Sequence, residues 1–383
     1  MRTSWVWLCA VVLLAMASDA GAGLPAPLGD DWLYSFPGAL PGPASAVSAG
    51  LGLSDRWLGE EPFDNPAAAP ARGIMVAPVF QRVKRQDLPA DYDYNEIEGY
   101  LDLAGGWLSL PVRGVGVTLY AFEPVLRLED ATFMTREDPD LVLLPRTFTA
   151  TSSARELRAG LALSHAWRGA RFGAAVEWTR REDSYDFNEI QGTPQPGLNH
   201  VDFSGDGIGF QAGARVSVAS AIVLGGALRY VPALDLRGQQ SAPSPDLAGD
   251  MVQSLVSATR DAGWDGGFSA RWSVSDAFRV LASLGGRTAQ AWDGFGVSVG
   301  RAVSWSSGLE YEELEQPWTI RFGLGQEQQV GVPEPRAVVY ALGLGWKADA
   351  LRLDLGLLRR SFERAGKATS YDDRVVAGVT VGF

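Results

Sequence analysis

The sequence has few of the residues that build most catalytic and metal sites. Its 383 residues include one cysteine and two histidines. Cys9 lies in an apolar N-terminal stretch that is expected to be removed, so the mature chain has no thiol for a disulfide or for thiolate chemistry. Neither His165 nor His200 stands with a serine in a recognisable nucleophile motif. We therefore expect a protein that is not an enzyme, with no catalytic residue, no cofactor and no metal ion.

Long apolar runs and positive charge are also scarce. A helix needs about 18 nearly uninterrupted apolar residues to span a bilayer, and only the N-terminus approaches that length. The net charge of −12 argues against nucleic acid as a partner. Arg2 precedes an apolar run and then small residues, which predicts a signal peptide over residues 1–22, cleaved after Ala20 or Ala22. The alternative is a membrane anchor, for which the run is short.

Glycine and tryptophan are abundant instead, with 45 and 13 residues. From Gly73 onward, apolar residues recur at every second position in segments of about ten residues, most clearly over 338–347. A period of two predicts strands with one apolar face, and about ten residues allow a tilted strand to cross a bilayer. A soluble β-sandwich has the same alternation. The signal peptide, the aromatic residues at strand ends and the connection lengths favour a membrane barrel.

Strand spacing predicts an all-β, antiparallel up-and-down transmembrane barrel of about fourteen strands over residues 73–383. Short joins alternate with long ones, as in barrels with short periplasmic turns and long external loops, and an even strand number leaves both termini in the periplasm. The predicted strands cover 73–84, 96–110, 115–127, 153–167, 169–180, 206–218, 221–233, 261–273, 276–289, 295–312, 316–328, 336–347, 350–362 and 371–383. The predicted long loops cover 128–152, 181–205 and 234–260.

The last predicted strand ends in an aromatic residue. Phe383, Val381 and Val379 alternate with glycine and threonine, so the strand is amphipathic to its end. A terminal aromatic on such a strand resembles the signal read by the outer-membrane barrel assembly machinery, which we expect as a partner. The alternative is an ordinary edge strand, although an unpaired apolar edge is an aggregation hazard that closure onto the first strand would remove.

Residues 23–72 differ from the rest of the chain. They are rich in alanine, glycine and proline, and they carry Asn65-Pro66-Ala67 shortly before the first strand. This arrangement, with the strand number, resembles the outer-membrane long-chain fatty-acid transporter family, in which a small-residue segment and an Asn-Pro-Ala motif precede a fourteen-stranded barrel. The resemblance implies that residues 23–72 fold into the lumen as a hatch. The alternative is a disordered tail, against which the aromatic residues in the segment argue.

The resemblance also implies a lateral exit for hydrophobic ligands, through a gap at a kinked third strand. The matching positions of this strand are Gly116, Tyr120, Phe122 and Pro124. Pro124 cannot donate to a strand ladder, so a local interruption is expected there. The alternative is that Pro124 marks the outer end of the strand.

Several arginines fall on the predicted lumen face. The simplest interpretation is an ion-pair network that holds the hatch or fills the lumen, because buried charges must be paired. The more specific hypothesis is that one arginine receives the carboxylate of a fatty acid, since a guanidinium binds a carboxylate through two hydrogen bonds. The candidates are Arg215, Arg229, Arg271 and Arg321.

Two of the predicted connections between strands have distinctive compositions. The acidic stretch 91–96 lacks the spacing of a known calcium loop and is expected to be solvated. Apolar residues over 251–256 have helical spacing and predict an amphipathic helix in an external loop.

The resemblance implies a monomer in the bacterial outer membrane that takes up long-chain fatty acids or other hydrophobic molecules. Its expected partners are the hydrophobic ligand and the surrounding outer-membrane lipid and lipopolysaccharide. Two alternatives stay open: a general porin, and a barrel of the same family that works in secretion or surface-protein assembly.

Overall fold

The computed structural model describes part of the chain, in twelve ranges: 42–58, 61–68, 72–84, 92–94, 99–135, 147–189, 199–243, 251–293, 297–313, 316–329, 336–363 and 370–383. The predicted signal peptide over 1–22 and the first part of 23–72 lie outside these residues. Within them there is one short helix, α1 (Ala46–Gly50), capped by Ser45, whose hydroxyl accepts a hydrogen bond from the Ser48 amide at 3.2 Å. No helix among the described residues is long and apolar enough to span a bilayer.

Strands make up most of the described chain. In chain order they are β1 (Gly73–Lys84), β2 (Tyr92–Tyr94), β3 (Gly99–Val112), β4 (Val115–Thr135), β5 (Thr147–Trp167), β6 (Ala170–Glu189), β7 (Asn199–Ala219), β8 (Ile222–Val231), β9 (Leu234–Pro243), β10 (Met251–Arg260), β11 (Gly263–Ser273), β12 (Phe278–Arg287), β13 (Gln290–Asp293), β14 (Val297–Val299), β15 (Ala302–Glu312), β16 (Trp318–Gln329), β17 (Arg336–Ala348), β18 (Leu351–Glu363) and β19 (Ser370–Gly382).

These strands close into one antiparallel barrel. Fourteen of them form the ring, each paired with its neighbours: β1, β3 to β8, β11, β12 and β15 to β19. β19 returns to β1, with Gly382 opposite Gly73 and Val379 opposite Val76. The other five short strands extend the wall at one end. The predicted fold class and strand number are confirmed.

The two ends of the barrel differ. Tight turns lie at one end, and three have residues in the left-handed region, with φ of 50° at Arg113, 48° at Arg168 and 47° at Asp349. Long hairpins lie at the other end, because β4, β5, β6 and β7 run to about 20 residues each. Short turns on the periplasmic side and long hairpins on the external side are the pattern of outer-membrane barrels.

The predicted long loops are wrong in part. Strands β4 to β7, β9 and β10 extend into all three ranges, and residues 251–256 lie in β10, paired with β9, instead of forming a helix. The alternating apolar pattern is produced by lipid on one face, and it disappears where a hairpin rises above the membrane. The backbone groups there still need hydrogen-bond partners, so pairing continues.

Apolar side chains point outward around the ring. Leu342, Leu344 and Leu355 are 39–45% exposed, and Trp167, Trp272 and Trp318 are 53–56% exposed at the short-turn end. Such an apolar belt would be unstable in contact with water, and lipid removes it from that contact. Closure of the barrel gives each strand of the ring a neighbour on both sides. The predicted location in the bacterial outer membrane is confirmed by this architecture.

Candidate functional site

Residues 42–58 and 61–68 lie inside the barrel. We call these residues the inner segment. Its largest apolar side chains are almost completely buried, with Trp57, Leu58 and Phe63 exposed by 1%, 0% and 2%. α1 packs on β16 to β19, and the Trp57 amide donates to the Ser269 hydroxyl of β11 at 3.1 Å. The inner segment therefore touches the wall at strands well separated around the lumen.

Inward-facing glycines let the inner segment lie this close to the wall. A Cβ at Gly213 would be 2.1 Å from Asn65 Oδ1, and one at Gly173 would be 2.1 Å from the Pro66 carbonyl oxygen. On the other side, a Cβ at Gly356 would be 2.2 Å from the Ala46 carbonyl oxygen. No side chain fits in those spaces, so the high glycine content has a packing role here.

The Asn-Pro-Ala motif makes the most specific of these contacts. Asn65 Nδ2 donates to the carbonyl oxygen of Trp57 at 2.8 Å and lies 3.2 and 3.3 Å from those of Ala214 and Gly226. Asn65 Oδ1 accepts from the Ala67 amide at 2.9 Å. Asn65 and Ala67 are fully buried. The carboxamide thus joins two parts of the inner segment to β7 and β8.

The ladder between β3 and β4 stops part of the way along the strands. It runs from Val112 opposite Val115 to Gly105 opposite Phe122, and β4 shifts register against β5 between Phe122 and Val125. Beyond that point β3 pairs with β1 while β4 pairs with β5, and β4 meets β2 only at its outer end. We call the opening between residues 99–104 of β3 and residues 123–132 of β4 the seam.

The inner segment contacts the wall at the seam. The Gly42 amide donates to the Pro124 carbonyl oxygen at 2.5 Å. Phe63 packs on Phe122 and Tyr120, with ring centroids 5.3 and 6.2 Å apart. The interruption expected at Pro124 is present, and the inner segment covers it from the lumen side.

The four residues of the proposed exit strand are not equivalent. Phe122 and Pro124 lie at the edge of the seam. Tyr120 lies inside the barrel and donates to Glu177 Oε1 at 2.7 Å. Gly116 is paired with Pro111 and Ser164 near the short turn, away from the seam.

One ion-paired arginine bridges the seam. The Arg155 guanidinium of β5 bonds the Asp102 carboxylate of β3 and, at 3.1 Å, Glu123 of β4. Sequence patterns could not identify this bridge, because its three residues lie on three different strands.

Two of the four candidate arginines are saturated with carboxylates. Arg229 is 1% exposed, bonds Glu177 at 2.8 Å and Asp64 of the inner segment at 3.3 Å, and also donates to the Phe63 carbonyl oxygen. Arg321 bonds Glu310 and Asp354, both at 2.8 Å. The expected ion-pair network is present around both.

Arg215 and Arg271 face a cavity at the short-turn end. This cavity, of about 660 Å³, is also lined by Arg321 and by Glu61 and Asp55 of the inner segment. The structure thus brings three candidate arginines to one polar cavity and keeps Arg229 apart, beside the inner segment.

A second buried charge cluster was not predicted. Glu156 bonds Arg158 and Arg260, both at 2.6 Å, and Arg181 bonds Asp183 at 2.7 Å. Arg181 and Arg260 lie over the ring of Trp292 at 5.4 and 5.6 Å. Arg181, Asp183 and Arg260 fall in stretches that the sequence assigned to loops, so their inward direction could not be recognised.

No group of three or more histidine, cysteine or carboxylate side chains in the described ranges is arranged to hold a metal ion. Of the acidic stretch 91–96, only 92–94 lie within the described residues, in β2.

No protein-family model matches this sequence, and no curated protein sequence matches it either. Solved structures do. A Pseudomonas aeruginosa FadL homologue has a TM-score of 0.65 at 16% identity, covering 90% of this chain and 100% of the other. The Ralstonia pickettii toluene transporter TbuX has 0.61 at 14%, covering 88% and 98%. The Pseudomonas putida toluene transporter TodX has 0.60 at 15%, covering 90% and 99%. Likeness at these identities concerns the fold, and at that level the predicted family resemblance is confirmed.

Proposed function

We propose that this protein takes up hydrophobic small molecules across the outer membrane and releases them sideways through the seam into the bilayer. The observation that carries this proposal is the β3–β4 ladder, which is open between residues 99–104 and 123–132 and is covered from inside by Gly42 and Phe63. An opening in the wall gives an apolar molecule a path that leads directly to lipid.

Physical chemistry favours the sideways path over the axial one. The axial path leads into the 660 Å³ cavity lined by Arg215, Arg271, Arg321 and several carboxylates. An apolar solute gains no free energy there, whereas transfer to the bilayer interior is favourable by about 25 cal/mol for each Å² of apolar surface. The hatch role of residues 23–72 belongs to the same proposal. The buried inner segment supports it and disfavours an open porin.

An uncharged ligand fits the lumen better than a fatty-acid carboxylate. Arg229, beside the aromatic residues at the seam, already binds Glu177 and Asp64, so a ligand carboxylate would have to displace a buried one. Two proteins of similar fold are described as toluene transporters, which supports the same ligand class for this chain. Long-chain fatty acids are the second candidate, with Arg215 or Arg271 as the receiving group.

Uptake by cells tests both the function and the ligand class. A strain lacking this protein and the same strain carrying it would be given labelled toluene or a labelled long-chain fatty acid. We expect the protein to raise the initial rate of toluene uptake and to change fatty-acid uptake less. Equal rates with and without the protein for both compounds would contradict the proposed function, and a selective gain for the fatty acid would reverse the ligand order.

A further inference from the structure

The outer face of the barrel is hollowed where β7 changes partner. β7 pairs with β8 from Phe210 towards the short turns and with β9 from Ser204 outward. Between these two ladders, five residues of β7, 205–209, face six residues of the opposite chain, 231–236. The extra residue and Pro232, which cannot donate a hydrogen bond, bend the opposite chain out of the wall.

The bend is directed into the lumen. Gly207 faces inward, and a Cβ there would lie 3.0 Å from both Pro232 and Leu234. Leu234 and Leu236 are 1% and 0% exposed and pack with Trp292 in a small apolar cluster. Because the chain passes on the inner side of β7, a hollow of about 370 Å³ remains on the outer surface.

Charged side chains line this hollow. Its lining consists of Arg180, Ser204, Gly205, Asp206, Asp235 and Arg237. Arg180 forms an ion pair with Glu182 at 2.7 Å in which both side chains are 49% exposed. Arg237 forms no ion pair with any residue in the described ranges. Among the described residues, the hollow therefore presents one guanidinium without an ion pair and a second whose exposed ion pair is worth little.

The position of the hollow specifies its surroundings. On the side of the short turns, the outward residues next to it are apolar, with Val176, Ile208 and Phe210 exposed by 50–54%. The hollow thus begins where the lipid-facing belt ends, at the external end of the barrel. This is the level of the headgroups in the outer leaflet.

We propose that this hollow binds the phosphorylated headgroup of an outer-leaflet glycolipid. Arg180 and Arg237 would hold the phosphate, because a planar guanidinium binds phosphate through two hydrogen bonds. Asp206 and Asp235 would accept hydrogen bonds from sugar hydroxyls, and the acyl chains would lie along Ile208 and Phe210. A single lipid molecule can pair with the charged side chains and also cover the adjacent apolar belt. A soluble anion can pair with the charges but leaves the apolar belt uncovered.

Native mass spectrometry of the purified full-length protein in detergent tests this site, with diphosphoryl lipid A as the probe. In the double variant Arg180→Gln/Arg237→Gln, we expect the amount of bound lipid A to fall about fivefold or more relative to the wild type. The reason is the loss of two charge-assisted contacts. Arg359→Gln is the matched control. Arg359 is also outward-facing and 52% exposed, but Asp373 binds it at 2.6 Å. We expect the control to bind as the wild type does.

The second arm uses dephosphorylated lipid A, which should bind weakly to all three proteins. Equal lipid A binding by the double variant and the wild type would overturn the proposal, and so would an equal loss in Arg359→Gln. Undiminished binding of the dephosphorylated lipid would overturn it as well. The heat-dependent gel mobility of each variant verifies that the barrel is folded. Toluene uptake should be unchanged in the double variant. The proposed lipid site and the proposed transport function are therefore tested by separate measurements, and either can be wrong without the other.

Discussion

At the scale of single residues, one carboxamide joins the inner segment to two strands of the wall. Asn65 reaches the wall at Ala214 and Gly226, which are 149 and 161 residues away in the chain. The sequence drew attention to Asn65 only through its resemblance to a family motif. Its hydrogen-bond partners are backbone carbonyls, which no side-chain pattern reveals.

Replacing Asn65 should loosen the inner segment. Asn65→Ala leaves the buried carbonyl of Trp57 without its donor, at a cost of about 1–3 kcal/mol. Asn65→Asp keeps the shape of the side chain but places a carboxylate oxygen, which cannot donate, against the backbone carbonyl oxygens. It should therefore lower the free energy of unfolding by at least as much. The measurement is the Tm of the purified protein in detergent, with the exposed Gln239→Ala as the control. Unchanged Tm values for both Asn65 variants would contradict the assigned contacts.

Glu61 gives the inner segment a pH dependence. Burial and the nearby Asp55 carboxylate together raise the pKa of its carboxyl from 4.5 to about 8, and this value includes the lowering effects of Ser45 and Arg352. A carboxyl with a raised pKa binds more protons in the folded state than in the unfolded state between these values. Stability should therefore fall as the pH rises from about 5 to about 8 and level off above that.

Glu61→Gln should remove this dependence, because the amide stays neutral at every pH. We expect the wild type to lose stability relative to the variant as the pH is raised from 6 to 9. Thermal unfolding of both proteins across that range measures the difference. Parallel pH profiles would show that the ionisation of Glu61 is not coupled to folding.

At the scale of elements, sequence patterns located the strands well where lipid touches them. The strand predicted over 336–347 is β17 (Arg336–Ala348), and the one over 350–362 is β18 (Leu351–Glu363). The patterns gave the wrong structure over 251–260, where they predicted a loop with a helix. There β10 pairs with β9 above the membrane, and this strand pairing outweighs the local preference of the sequence. The seam was anticipated from Pro124, but its width was not, because width depends on what each strand pairs with on its other side.

Locking the seam should block sideways release. The Asp102 and Glu123 side chains both bind Arg155, so their ends lie close together across the opening. We expect a short bifunctional thiol reagent to join Asp102→Cys to Glu123→Cys and to lower toluene uptake several-fold.

The control for this cross-link is a second pair of cysteine substitutions, on the short-turn side of the seam. Ser109 and Thr118 are opposite each other, with their hydroxyls 3.0 Å apart, where β3 and β4 are already paired. Joining Ser109→Cys to Thr118→Cys should leave uptake unchanged. Uptake that survives complete cross-linking of the seam would exclude it as the exit.

At the scale of the whole molecule, a barrel of about fourteen strands needs filling. Its lumen would be wide enough to pass small solutes if it were empty. Here the inner segment, the ion pairs around Arg229 and Arg321, and the cluster around Glu156 occupy it. The chain thus combines a barrel wall that is open only partly, at the seam, with a filled axis.

Conductance in a planar bilayer measures that blockage. The wild type should show no large steady current, and deletion of residues 42–68 should produce one. Heat-dependent gel mobility controls for folding of the deletion variant. Large steady currents through the wild-type protein would contradict a plugged lumen and would favour a porin.

The sequence by itself determined the membrane barrel and its number of strands. Each of these follows from local alternation, because lipid imposes the same apolar requirement on every second residue of a crossing strand. Only the tertiary structure decided how the lumen is filled, where the seam opens and which carboxylate each arginine binds. Those contacts join residues from different strands and from the inner segment, such as Arg155 with Asp102 and Glu123. No period along a single strand encodes them, because each depends on a neighbour that only barrel closure brings into reach.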